Sequence, residues 1–193
     1  MTQVKRRGFL MLSGVSVGVL AAPALRAQTT NMANVLQGDP RFAEFMDLIV
    51  RGSFQSYLTE PGQATMFAPV NEAFQSAPYL MMSNTAPLGS GSGRQDATEG
   101  RNTWGMIIAN HVVMNQALRP AQLTNGLQLK TRADGQLTIA HDSSGNIEVR
   151  SVAADGRMRS FGGAATVAPA RVVGPELLAT NGVIIPVNNF LWP

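Results

Sequence analysis

The chain has 193 residues, 45% of them hydrophobic and 14% charged, which fits one globular domain with extensions and is too apolar for a disordered polymer. It contains no cysteine, which excludes thiol catalysis, iron–sulfur clusters, c-type haem attachment and cysteine zinc sites. Its formal net charge is +3, but four of the 15 basic residues and none of the 12 acidic ones fall before Gln28; the remainder balances at −1, so no nucleic-acid partner is expected.

Residues 1–27 read as a secretory signal peptide. Lys5-Arg6-Arg7 forms a basic start, Phe9 to Leu12 and the run to Ala22 an apolar centre, and small residues the end. Arg6-Arg7-Gly8-Phe9-Leu10 matches the core of the twin-arginine export pattern. Cleavage is expected after Ala27, with Ala24 as the second choice. The apolar run is shorter than the ~20 residues a membrane span needs, so no stable span is expected after cleavage. These features place the protein in the periplasm or outside the cell. Without disulfides, the mature domain must then rely on its core.

Gln28 to Gln37 is polar and reads as a tether. Residues 28–32 are assigned to it entirely, and the domain is counted as 33–193. From Arg41, Phe42, Phe45, Met46 and Ile49 recur at helical spacing, with Gly52 as the stop. Ser53 to Leu58 predicts another helical turn, and Pro61-Gly62 a corner. Thr65 onwards is a short apolar run around Phe67, read as a buried strand that Pro69 closes. Asn71 is read as the N-cap of a helix carrying Ala73, Phe74 and Ala77. Residues 78–100, with Gly89-Ser90-Gly91-Ser92-Gly93, read as a surface insertion. They lack the spaced Gly-Lys-Ser/Thr of a phosphate loop.

Arg101 to Ala109 predicts a helix with Trp104, Ile107 and Ile108, and Asn110 to Met114 a β-prone run. Beyond Asn125-Gly126 the apolar period shifts towards two. Leu127/Leu129/Thr131, Leu137/Ile139, Ile147/Val149 and Met158 fit strands, with turns at Asp134-Gly135, Ser144-Gly145-Asn146 and Asp155-Gly156. Ala164 to Val173 is a longer β-prone run, Glu176-Leu177-Leu178-Ala179 reads as a helical turn, and the chain continues from Asn181 to Pro193. Helices early and strands late make the fold class α+β.

Three segments resemble the fasciclin domain family. Thr65–Phe74 is similar to its first signature, through Thr65, Phe67, Pro69, Asn71 and Phe74. Asn110-His111-Val112-Val113 is similar to its central tyrosine–histidine motif. Thr180–Pro193, with Asn181, Gly182, Val183 and Ile184, resembles its second signature. The resemblance implies a β-sandwich or wedge with helices packed against it, and a role in adhesion or surface attachment. Asn110 stands where the family's tyrosine is usual and Asn188 where an acid is common, with Pro186 interrupting that strand. The integrin recognition associated with those positions is therefore not carried over.

Chemistry is sparse. His111, in an apolar run, is either a general base or ligand, or a buried ring bonded to backbone groups; the second reading is preferred. His141-Asp142-Ser143-Ser144 only superficially suggests a triad, because adjacent strand residues face opposite ways. Glu72 fits the first turn of its helix as a dipole complement. Met81, Met82 and Met114 with His111 are the candidates for a copper site, since thioethers and imidazole suit Cu(I), but methionine is also ordinary core filler. No catalytic residue, cofactor or resident metal is expected. The preferred function is non-enzymatic adhesion to an envelope or extracellular protein or polysaccharide, as a monomer, through the helical side and the 78–100 insertion. The alternative is a periplasmic small-ligand or copper-binding protein with a Met/His-lined pocket.

Overall fold

The computed structural model describes residues 30–75, 105–152 and 168–192. The signal peptide, the insertion, Met81, Met82, Trp104 and Met158 lie outside the described residues. The helical side comprises α1 (Met32–Gln37), a 3₁₀ turn (Pro40–Phe42), α2 (Ala43–Gly52), α3 (Ser56–Thr59), α4 (Asn71–Gln75) and helical residues 105–110. The strands are β1 (Ala64–Pro69), β2 (Val112–Met114), β3 (Gln128–Lys130), β4 (Gln136–His141), β5 (Ile147–Val152), β6 (Ala170–Arg171), β7 (Leu177–Ala179) and β8 (Gly182–Val187). They form two four-stranded sheets, ordered β2-β1-β8-β7 and β3-β4-β5-β6. This is the expected α+β class, with helices packed against stacked sheets.

β1 and β8 run parallel through the middle of the first sheet, in register from Ala64 against Gly182 to Pro69 against Val187. Their side chains alternate between two cores. Met66, Ala68 and Ile184 join the helical cluster with Phe42, Phe45, Ile49 and Leu58. Phe67, Val183, Ile185 and Val187 join Leu129, Leu137, Ile139 and Val149 between the sheets. A strand buried on both faces needs an almost continuous apolar run, which is why Ala64–Pro69 lacks polar alternation. No helix among the described residues is long and apolar enough to cross a membrane.

Several local expectations change in the fold. Residues 32–37 are helix α1, with Met32 and Leu36 fully in the core, so the chain is structured within the stretch read as tether. α2 does end at Gly52, but the left-handed cap, at φ 62°, is Ser53. At Gly52 a Cβ would meet the Phe54 ring at 2.4 Å. Leu177–Ala179 is a strand, not a helical turn, because it pairs antiparallel with β8. Pro186 continues β8, opposite Ala68. Its missing N–H costs no ladder bond to β7, whose pairing ends at Ile184, and its carbonyl accepts from Val173 N–H at 2.9 Å.

Candidate functional site

The signature residues meet where the helices join the first sheet. The Thr65 hydroxyl donates to Gln116 O and accepts from Leu118 N, both at 2.8 Å, clamping the loop after β2. Asn181, in the turn between β7 and β8, accepts from Met32 N at 2.9 Å and donates to Leu58 O at 2.8 Å and Glu60 O at 3.1 Å. One buried amide thus ties α1 and α3 to the start of β8. Asn71 is not the cap of its own helix. Its Oδ1 accepts from Glu44 N at 3.2 Å and its Nδ2 donates to Pro40 O at 2.9 Å, so it serves the start of α2, where Phe42 offers no side-chain cap.

His111 is fully buried at the end of helical residues 105–110. Its Nδ1–H donates to Ile107 O at 2.7 Å, and its Nε2 accepts from Leu191 N–H at 3.0 Å. That pairing requires the neutral Nδ1–H tautomer. Burial pushes its pKa down to about 4, against a smaller upward pull from the Ile107 carbonyl. With both nitrogens occupied, the ring has no lone pair for a metal and no proton to exchange with a substrate. Met114 turns to Arg132, whose Nη1 lies 3.7 Å from its sulfur. His111 and Met114 therefore do not form the copper pair considered above.

Asn110, in the place usual for tyrosine, is a buried connector. Its Nδ2 donates to Ser151 Oγ and Leu191 O, each at 3.0 Å, and its Oδ1 accepts from Thr131 Oγ1 at 2.9 Å. Asn188 accepts from Arg171 N at 2.8 Å and so closes a strand end. His141 uses Nε2 on Leu123 O at 2.7 Å, while Asp142 accepts from Ser144 N and Asn146 N in a turn. The two side chains serve different partners and make no triad. Among the described residues, no three His, Asp or Glu groups are placed to hold a metal ion.

An open groove of about 400 Å³ lies on the helical side, lined by Phe54, Tyr57, Gly105, Met106, Ala109, Arg132 and Ala133. Phe54 sits between two glycines: a Cβ at Gly105 would meet its ring at 2.5 Å, as one at Gly52 would at 2.4 Å. The Arg132 guanidinium stacks 4.0 Å over Tyr57 and grips both oxygens of Glu60, with Nη2 to Oε1 at 2.9 Å. That carboxylate holds the guanidinium pKa above its ordinary value. Met106 is 53% exposed at the rim. The groove can bury an apolar or ring-bearing group beside an ion pair, but it presents no nucleophile. Sequence reading missed these residues because they come from three separated stretches, and the two glycines that flank the Phe54 ring, Gly52 and Gly105, are themselves far apart in sequence.

The family model for the fasciclin domain matches residues 40–193. A solved structure, the FAS1 domain pair from the insect cell adhesion molecule fasciclin I, is similar at a TM-score of 0.61 and 16% identity. The likeness covers 86% of this chain and 52% of that one, so this chain spans about half the length of the pair. At that identity it speaks for the fold alone. No curated protein matches the sequence. With the family match spanning most of the chain and the same fold around the signature segments, this protein belongs to the fasciclin domain family.

Proposed function

We propose that this protein is an exported, non-enzymatic binding domain that attaches to a protein or polysaccharide of the cell envelope or its surroundings. The family is associated with adhesion and binding. The observation that carries the reading is the open groove on the helical side, with aromatic lining and Met106 exposed at its rim. Both imidazoles are committed to main-chain partners, which leaves recognition rather than proton transfer as the available chemistry. The 78–100 insertion, which ends shortly before Gly105 in sequence, is included in the proposed contact surface. Export is assigned to residues 1–27, with the mature domain following.

One capture experiment tests the proposal. The full chain is expressed in a bacterial host, the mature domain is purified, and envelope extract is passed over it. Met106→Glu, which places a charge at the rim, is expected to reduce capture at least severalfold, and deletion of 78–100 to reduce it further. Equal capture by the parent and both variants would remove this surface from the reading. In the same host, Arg6-Arg7→Lys-Lys is expected to leave the chain unprocessed; normal export would remove the twin-arginine route.

A further inference from the structure

We propose that His111 and residues 188–192 form an acid-sensitive latch, in which protonation of the ring releases the Phe190–Trp192 segment while both sheets stay folded. The geometry sets the polarity of the contact. Nε2 is an acceptor for Leu191 N–H at 3.0 Å, and Nδ1 already carries the proton donated to Ile107 O at 2.7 Å. A second proton can enter only at Nε2. It would replace the hydrogen bond by two N–H groups pointing at one another, in a fully buried position.

Among the described residues, no charged group faces the ring to compensate the new charge. Its described aromatic neighbours are Phe45 from α2, with ring centroids 5.9 Å apart, and Phe190 from the segment itself, at 5.7 Å. The depressed pKa has desolvation as its first cause and the Ile107 carbonyl as its second. Among the described residues no charged side chain contributes: not Glu44, Asp47 or Arg51 of α2, nor any group on residues 105–110, on β1 or in the segment after β8.

The Phe190–Trp192 part of the segment lies beyond the last strand. β8 ends at Val187, and residues 188–192 belong to neither a strand nor a helix. Asn188 and Asn189 are anchored, by Asn188 N–H on Arg171 O, Arg171 N–H on Asn188 Oδ1 and Asn189 Nδ2 on Ala168 O, while beyond them the hydrogen bonds include Leu191 N–H on His111, Leu191 O on Asn110 Nδ2 and Trp192 O on Ser151 Oγ. Phe190 meets Phe74 edge-on at 4.9 Å and Trp192 at 5.5 Å. Release would expose Phe190, Leu191 and Trp192, all buried in the closed form.

Native-state amide exchange, corrected for intrinsic rates, tests this between pH 7 and pH 4.5. A ring with pKa about 4 when closed and about 6.5 when open raises the opening constant about 60-fold over that range. The Leu191 amide is expected to lose protection by that factor. Reference amides are Val70, bonded to Val187 O in the first sheet, and Ile139, bonded to Leu127 O in the second. Both are expected to stay protected. His111→Gln, which offers an acceptor but cannot titrate, is expected to flatten the Leu191 profile. If that variant does not fold, the parent profile decides alone. Constant Leu191 protection down to pH 4.5, or simultaneous loss at Leu191, Val70 and Ile139, would overturn the latch.

Discussion

The backbone at Gly182 passes so close to β1 that a Cβ there would lie 2.0 Å from the Ala64 carbonyl oxygen, and its φ is 155°. Rigid backbone, not a flexible side chain, occupies the space. Gly182→Ala is therefore expected to cost about 3 kcal/mol or more, measured as a drop in the urea midpoint at constant slope. A loss below about 1 kcal/mol would mean that β8 shifts freely against β1. Asn181, one residue earlier, satisfies one donor and two acceptors at once. The importance of this pair was legible as a motif in the sequence. Its reason was not, because the partners Met32, Leu58 and Ala64 lie more than a hundred residues away. For His111 the preferred sequence reading, a buried ring bonded to backbone groups, agrees with the observed contacts.

At the level of elements, helix ends show the same division. The pattern of Phe42, Phe45 and Ile49 marks α2 well, since apolar spacing is local information. Its N-terminal cap is not local: Asn71 reaches it from 27 residues downstream. Asn71→Ala is expected to destabilise the fold by about 1 kcal/mol and to speed exchange of the Glu44 amide specifically. Unchanged Glu44 exchange would return Asn71 to a role within α4. Leu177–Ala179 illustrates the converse. Glu176-Leu177-Leu178-Ala179 contains good helix formers, but so short a run cannot offset helix nucleation, whereas the free edge of β8 supplies ladder bonds.

Across the whole molecule, the first sheet is a shared wall between two cores. Phe67 is fully buried on the side facing the second sheet, while its neighbours Met66 and Ala68 face the helices. Phe67→Ala removes the largest side chain that β1 gives to the inter-sheet core, and a loss of about 3–5 kcal/mol is expected in equilibrium denaturation. A loss well below that range would mean that the second sheet collapses onto the vacancy. The arginines on that second sheet are already engaged: Arg150 and Arg171 both pair with the buried Glu148, at 3.0 and 3.2 Å. On the opposite, helical side the groove leaves Met106 open at its rim.

From its residues alone, this protein is an α+β domain of the fasciclin family. Apolar runs, turn residues and signature segments are short-range signals, and each survives being read one window at a time. The tertiary structure alone decided that residues 32–37 are core helix, that Pro186 continues a strand, that Asn71 caps α2, and that Phe54, Met106 and Arg132 share a groove. Each of these depends on a partner distant in sequence, from 27 residues between Glu44 and Asn71 to more than a hundred between β1 and β8. No local pattern carries that information, because the free energy that selects it arises from burial and hydrogen bonding between segments that are strangers in sequence.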